Sequence, residues 1–269
     1  WRWRSTRPSC LSLITSFPGG RLYHNVVVLS GCLCYHTRLM STQIEYFERL
    51  VAAFIRGRLP LDQRYVALFN KLLDELSFAE VQVLIQLAQA QELRLHRFKR
   101  TMELPRVRKV LGILRGLQPR NLLDIGSGRG AFLWPLLDSF PSLPVTCVDV
   151  LDYRIADIQA VQRGGVEQLS ALQADVTALP FGERAFDMVT MLEVLEHVPD
   201  TRRALAEICR VASRFVILSV PSKEDDNPEH IHLFDQRRLR NLLEEQGIRR
   251  VSFDYVSNHM IVVARIEQG

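Results

Sequence analysis

The chain has 269 residues, 47% of them hydrophobic, enough for one large globular domain or a domain with an appendage. Its formal charge of +4 comes from an acid-free leader holding Arg2, Arg4, Arg7, Arg21 and Arg38; without those five, 29 of the 34 Lys and Arg face 30 Asp and Glu. The basic balance is therefore no argument for a nucleic-acid or membrane partner, and no apolar run reaches the ~18 residues of a spanning helix.

Met40 reads as the natural start, and residues 1–40 as an unstructured leader or upstream extension. The Arg-rich, acid-free composition also suits an organellar targeting peptide. Cys10, Cys32 and Cys34 lie in this leader. Cys147 and Cys209 fall on a predicted strand and a predicted helix, where thiols act as small buried hydrophobes. A reducing, cytoplasmic setting is expected.

Residues 41–118 read as a helical N-terminal region. Thr42 with Glu45 makes a capping box, and Ile44, Phe47, Val51, Phe54 and Ile55 recur at helical spacing. Asp62 is expected to cap a helix carrying Val66, Phe69, Leu72, Leu73 and Leu76. Ser77 with Glu80 makes a second capping box ahead of Val81, Leu84, Ile85 and Ala88. Val107, Val110, Leu111, Leu114 and Leu117 form a stripe, with Pro105 suited to the first turn. This last helix should pack on the sheet, and the earlier ones should cap a substrate opening. Between Arg94 and Arg120 stand nine Lys or Arg and one acid, Glu103. They read either as a solvated helix face or as a site for an anionic substrate, such as a phosphorylated metabolite or RNA.

Leu122-Leu123-Asp124-Ile125 is an apolar run that feeds the glycine-spaced turn Gly126-Ser127-Gly128-Arg129-Gly130. Such a run reads as a buried parallel strand with a nucleotide-type site at its carboxyl end. The dinucleotide fingerprint is Gly-x-Gly-x-x-Gly, with pyrophosphate on a helix N-terminus. Here the spacing is Asp-x-Gly-x-Gly-x-Gly, and a carboxylate just before the first glycine repels pyrophosphate but suits a cation. A nicotinamide oxidoreductase is disfavoured on that ground. Pro135 fits poorly in the helix expected next, unless that helix begins late or kinks.

Val145 to Val150 is a second β-rich run ending in Asp149, about 20 residues past the glycines, the interval of a strand-helix-strand unit. Gln173 to Val176 follows, then Leu179-Pro180-Phe181. Ala185 to Met191 reads as the fourth strand, running into Leu192-Glu193-Val194-Leu195-Glu196-His197, and Arg214 to Val220 as the fifth. Asp200 and Asp235 are expected helix caps, with Gly247 a stop. Arg249 to Tyr255 and His259 to Ile266 read as a terminal hairpin. The alternation of strand and helix argues for an α/β fold with a parallel sheet.

The ordered series from Leu123 to Gly130, Asp149, Asp175 and the fourth strand resembles the class I S-adenosylmethionine-dependent methyltransferases. The resemblance implies a Rossmann-like seven-stranded, mostly parallel sheet with an antiparallel last strand over residues 119–269, preceded by a helical N-terminal cap. It implies S-adenosylmethionine as cofactor. The cofactor-binding set would be Asp124, Gly126, Ser127, Gly128, Gly130, Asp149, Val150, Asp175, Val176 and Leu192, with Asp149 on the ribose hydroxyls and Asp175 near the adenine amine. His197 and Glu193 are the candidate catalytic residues. If the segment after the fourth strand turns helically, Glu193, Glu196 and His197 share one face. They would then form a possible divalent-metal site, completed by His230 and His232. Alternatively the imidazole acts as a base or holds the loop. The expected reaction is methyl transfer to an oxygen or nitrogen of a small-molecule acceptor. An RNA or protein methyltransferase using the basic helix, or a non-catalytic methyltransferase-like subunit, is the alternative.

Overall fold

Seven strands organise the computed structural model, which describes residues 45–100, 104–224 and 226–267. They are β1 (Leu122–Ile125), β2 (Val145–Asp149), β3 (Leu169–Gln173), β4 (Phe186–Leu192), β5 (Ala212–Pro221), β6 (Arg250–Val256) and β7 (His259–Arg265). Their spatial order is β3-β2-β1-β4-β5-β7-β6. The first five pair in parallel, and β7 runs antiparallel between β5 and β6. All four residues of β1 are buried, as a central strand covered on both faces requires. The chain goes from β1 outward to β2 and β3, then returns to β4 on the other side of β1. Open α/β sheets bind ligands outside the carboxyl ends of their strands at such a reversal.

The helices are α1 (Glu48–Arg58), α2 (Val66–Asn70), α3 (Phe78–Ala90), α4 (Pro105–Leu117), α5 (Leu133–Ser139), α6 (Asp152–Arg163), α7 (Thr201–Val211) and α8 (Gln236–Glu244). The N-terminal helices enter the core on one face of the sheet. Val51, Phe54 and Ile55 of α1 share an apolar cluster with Leu122, Val145 and Ile158. Close approach of α1 and α6 depends on small residues. A Cβ on Gly57 would overlap the Ala160 carbonyl oxygen, and one on Gly164 the Ala53 carbonyl oxygen. Beside this crossing, buried Asp157 of α6 accepts hydrogen bonds from Arg58 and Arg97 and ties α1 and the segment after α3 to α6.

Several expected elements stand where the sequence placed them. Ser77 and Glu80 form the full capping box of α3, and Asp200 and Asp235 cap α7 and α8. Pro105 opens α4, whose Val107, Val110, Leu111 and Leu114 are buried. Pro135 is harmless because α5 begins late, at Leu133, so the proline lies in a first turn that needs no donor.

Two helices differ from expectation. Thr42 and the leader, with Cys10, Cys32 and Cys34, lie outside the described residues. Glu45 does not cap a helix, because residues 45–47 pair with 98–100 instead. Phe47 N–H donates to the Phe98 carbonyl (2.9 Å), Arg100 N–H donates to the Glu45 carbonyl (2.7 Å), and Lys99 pairs with the Glu45 carboxylate. The helix therefore starts at Glu48. The single helix expected after Asp62 is broken: Asp62 caps only a 3-10 turn, Gln63–Tyr65, and α2 ends at Asn70. The Arg56 guanidinium takes the Leu68 carbonyl, and Leu72 is extended and 68% exposed. Among the described residues, no helix is long and apolar enough to cross a membrane. Cys147 and Cys209 are both free, Cys147 being buried.

Candidate functional site

At the carboxyl end of β1 the chain folds over itself through three residues of positive φ, Gly126 (68°), Gly128 (57°) and Gly130 (83°). A side chain at 126 would face both that backbone strain and a collision with Val194, so the loop lies directly against the turn after β4. Asp124 sits beneath this loop. Its carboxylate accepts the hydroxyls of Ser127 (2.7 Å) and Thr190 (2.8 Å) and is 2% exposed. Burial pushes its pKa up to about 6, opposed by those two hydrogen bonds and reinforced by the nearby Asp149 charge. Asp124 and Ser127 therefore brace the loop from inside.

Asp149, the last residue of β2, joins the two strand ends. One oxygen accepts Gly128 N–H (3.0 Å), the other accepts Leu151 N–H (3.0 Å), and the Arg154 guanidinium lies 3.6 Å away. It borders a cleft of about 640 Å³ that opens beside Gly126, Val150, Asp175, Val176, Glu193 and His197. Seven of the expected residues thus meet at one cavity. Asp124, Ser127, Gly128 and Leu192 do not border it, and Gly130 lines a different one. Asp175 follows β3; backbone and side-chain hydrogen bonds from Thr177 hold its carboxyl below the usual range. The sequence reading missed Leu151, Tyr153 and Arg154. With Val150, Leu151 and Tyr153 make an apolar lip, at 55%, 37% and 58% exposure. Large apolar side chains directly after a strand-terminal acid, at the polar start of a helix, were the available signal.

The segment after β4 departs from the expected helical face. Glu193 has φ 57°, which turns it away before a 3-10 turn at Leu195–His197. Its carboxylate accepts the Ser219 hydroxyl and lies 3.0 Å from His259 Nε2 and 3.8 Å from Arg106 Nε. Glu193, Glu196 and His197 therefore do not form one metal-ligating set. The group that does converge is Glu196, His197 and His230, with one potential ligand atom from each within 4.8 Å of the others. Glu196 is fully buried. His232 turns aside, its Nε2 donating to the Val198 carbonyl (3.1 Å). His197 Nδ1 lies 2.8 Å from the Glu229 carbonyl, which only accepts, so Nδ1 carries a proton and donates it there. The backbone N–H groups of Ile231 and His232 both donate to the Glu196 carbonyl, stitching the loop after β5 to the site.

The basic stretch is largely committed to internal pairs. Arg97, Lys99, Arg100, Arg106, Lys109 and Arg120 face Asp157, Glu45, Asp138, Glu193, Asp254 and Asp187 respectively.

Residues 123–217 match a family model described as a methyltransferase domain. A malonyl-[acyl-carrier protein] O-methyltransferase of Geobacter sulfurreducens is 33% identical over 115 residues, which cover 42% of this chain and 41% of that protein. A norajmaline N-methyltransferase of Rauvolfia serpentina is 30% identical over 125 residues, covering 42% of each. The chain thus spans about two fifths of the length of these relatives. Among solved structures, a SAM-dependent methyltransferase from Aquifex aeolicus superposes with a TM-score of 0.52 at 25% identity, over 61% of this chain and 92% of that one.

Proposed function

We propose that residues 123–217, which match a methyltransferase-domain model, form a class I, S-adenosylmethionine-dependent methyltransferase domain, and that this protein methylates an oxygen or nitrogen of a small-molecule acceptor. The observation that carries the reading is the acid-lined cleft at the strand reversal, with Asp149 at its edge and the Gly126 turn packed directly on Val194 beside it.

The donor set fits a cationic, phosphate-free nucleoside. Asp149 offers carboxylate oxygens to a ribose diol, and Asp149, Asp175, Glu193 and Glu229 border the cleft, a balance that disfavours a pyrophosphate. Val150, Leu151 and Tyr153 supply apolar surface for a purine, and Asp175 and Val176 line the same cleft. Bound S-adenosylmethionine would supply an electrophilic methyl carbon on a sulfonium. The chain's own task is then to orient the partners, exclude water and take up one proton. His197 borders the cleft with Nδ1 fixed on the Glu229 carbonyl, which leaves Nε2 of the neutral ring as the acceptor and suits a general base. Glu193 is engaged by Ser219, His259 and Arg106, and so is better placed to hold the β4 turn in its left-handed conformation than to accept the acceptor's proton.

The convergence of Glu196, His197 and His230 supports a second reading, in which a divalent ion replaces the free imidazole as the activating group. A reducing cytoplasm is the setting we propose, in keeping with the free thiols of Cys147 and Cys209 among the described residues. The deciding experiment incubates the full chain with methyl-labelled S-adenosylmethionine and a metabolite extract, with and without chelator. Label in a small-molecule fraction is expected; label in RNA or protein would favour a macromolecular acceptor, and no label would favour a non-catalytic subunit. Turnover that survives chelation identifies His197 as the base, and turnover restored only by added divalent ion identifies the metal reading. His197→Ala should slow turnover more than it weakens cofactor binding.

A further inference from the structure

A second cavity, of about 480 Å³, lies across the glycine loop from the cleft. Gly126 belongs to the first and Gly130 to the second, four residues on. Their charges are opposite. The first is bordered by Asp149, Asp175, Glu193 and Glu229 against Arg154 and His197. Among the described residues, every ionisable group bordering the second is basic: His96, Arg97, Lys99, Arg100 and Arg129. Its floor is aromatic, formed by Phe47 and Trp134, and the Arg100 guanidinium stacks 4.3 Å from the Phe47 ring centroid.

The carboxylates that pair with these cations do not neutralise the cavity. Asp157, Glu45 and Asp138 each answer one bordering cation, and Asp157 also serves Arg58. Arg129 has no carboxylate within ion-pair distance among the described residues. The charges of Arg58, Arg129 and Arg94 add to burial in holding the Arg97 pKa down, which marks local crowding of positive charge. A guanidinium on the glycine loop, facing others across an aromatic floor, suits an apolar body that ends in an anion.

We infer that this second cavity is an acceptor subsite for a small ligand bearing a carboxylate or phosphate on an aromatic or aliphatic body, with Arg129 and Arg97 facing the anion. The inference rests on the methyl-transfer reading and narrows its substrate class.

The test uses the full chain saturated with S-adenosylhomocysteine, which occupies the cofactor cleft. Benzoate and phenyl phosphate are titrated in by ligand-observed NMR at fixed ionic strength, with benzamide as the neutral control. Benzoate or phenyl phosphate should bind at least tenfold more tightly than benzamide. Arg129→Gln should weaken that binding at least fivefold while leaving the thermal midpoint unchanged. Equal binding of benzoate, phenyl phosphate and benzamide, or anion binding indifferent to Arg129→Gln, would overturn the inference. A third arm identifies whose anion is held. If Arg129→Gln weakens S-adenosylhomocysteine but not methylthioadenosine, which lacks the amino-acid carboxylate, the cavity serves the cofactor and the acceptor assignment falls. Failure of S-adenosylhomocysteine to bind the wild type would instead refute the methyl-transfer reading itself.

Discussion

Asp124→Asn should change how stability depends on pH, in a direction fixed by where the carboxyl sits. In the folded chain its pKa is raised to about 6 from the ordinary carboxyl value of 3.8, chiefly because it is buried. Between those two values the folded state holds the proton more tightly than the unfolded state. This contribution is therefore full below pH 3.8 and is lost as pH rises through 6. The full difference is about 3 kcal/mol at 1.36 kcal/mol per pKa unit, of which about 2 kcal/mol falls between pH 4.5 and 7.5. Asparagine removes the titration and keeps an oxygen for one of the hydroxyls of Ser127 and Thr190. Urea unfolding of both proteins at several pH values cancels the contributions of every other carboxylate in the difference. The variant should gain about 2 kcal/mol relative to wild type between pH 4.5 and 7.5. Parallel profiles would refute the assignment of Asp124 as a buried, loop-bracing acid. The same titration predicts that affinity for a cationic ligand rises across this range in wild type and rises less in the variant.

Asp149→Ala should weaken S-adenosylmethionine binding by about 1.5–3 kcal/mol, the scale of hydrogen bonds to a charged group; calorimetry showing an unchanged constant would contradict its role. Gly57→Ala should destabilise the fold by about 1–3 kcal/mol, because α1 must lift from the Ala160 carbonyl, and a thermal midpoint equal to wild type would mean that the helix crossing is looser than described. Asp157→Ala leaves Arg58 and Arg97 without their shared carboxylate, and since both guanidiniums are partly exposed the cost should be about 2–3 kcal/mol, below the range for fully buried pairs. Denaturant titration would show it, and a loss under 0.5 kcal/mol, the range of ordinary surface changes, would argue that the pair is solvated.

The parallel sheet was legible because its signals are local. An apolar run, a glycine turn and an acid at the next strand end lie within 30 residues of one another, and each has a backbone reason. Caps such as Ser77 with Glu80, Asp200 and Asp235 were legible for the same reason. The misreadings arose where a distant partner decides the outcome. Glu45 looked like a helix-capping acid until residues 98–100 took its backbone, and the helix after Asp62 looked continuous until Arg56 took the Leu68 carbonyl. Spacing put Glu193 with Glu196 and His197, but its left-handed backbone delivers it to Ser219 and His259 on β5 and β7. Spacing shows which residues are close along the chain, and no rule of helical periodicity anticipates a non-glycine residue at positive φ. The small-residue pairs Ala53/Gly57 and Ala160/Gly164 were visible as letters, but they acquire meaning only once α1 is known to cross α6.

Everything functional proposed here depends on what the acid-lined cleft beside Asp149 accepts. Calorimetric titration of the full chain with S-adenosylmethionine and, separately, with NADH tests that directly. The account predicts binding of S-adenosylmethionine at one site per chain and no heat from NADH, whose pyrophosphate the carboxylates disfavour. Binding of NADH in preference to S-adenosylmethionine would contradict it.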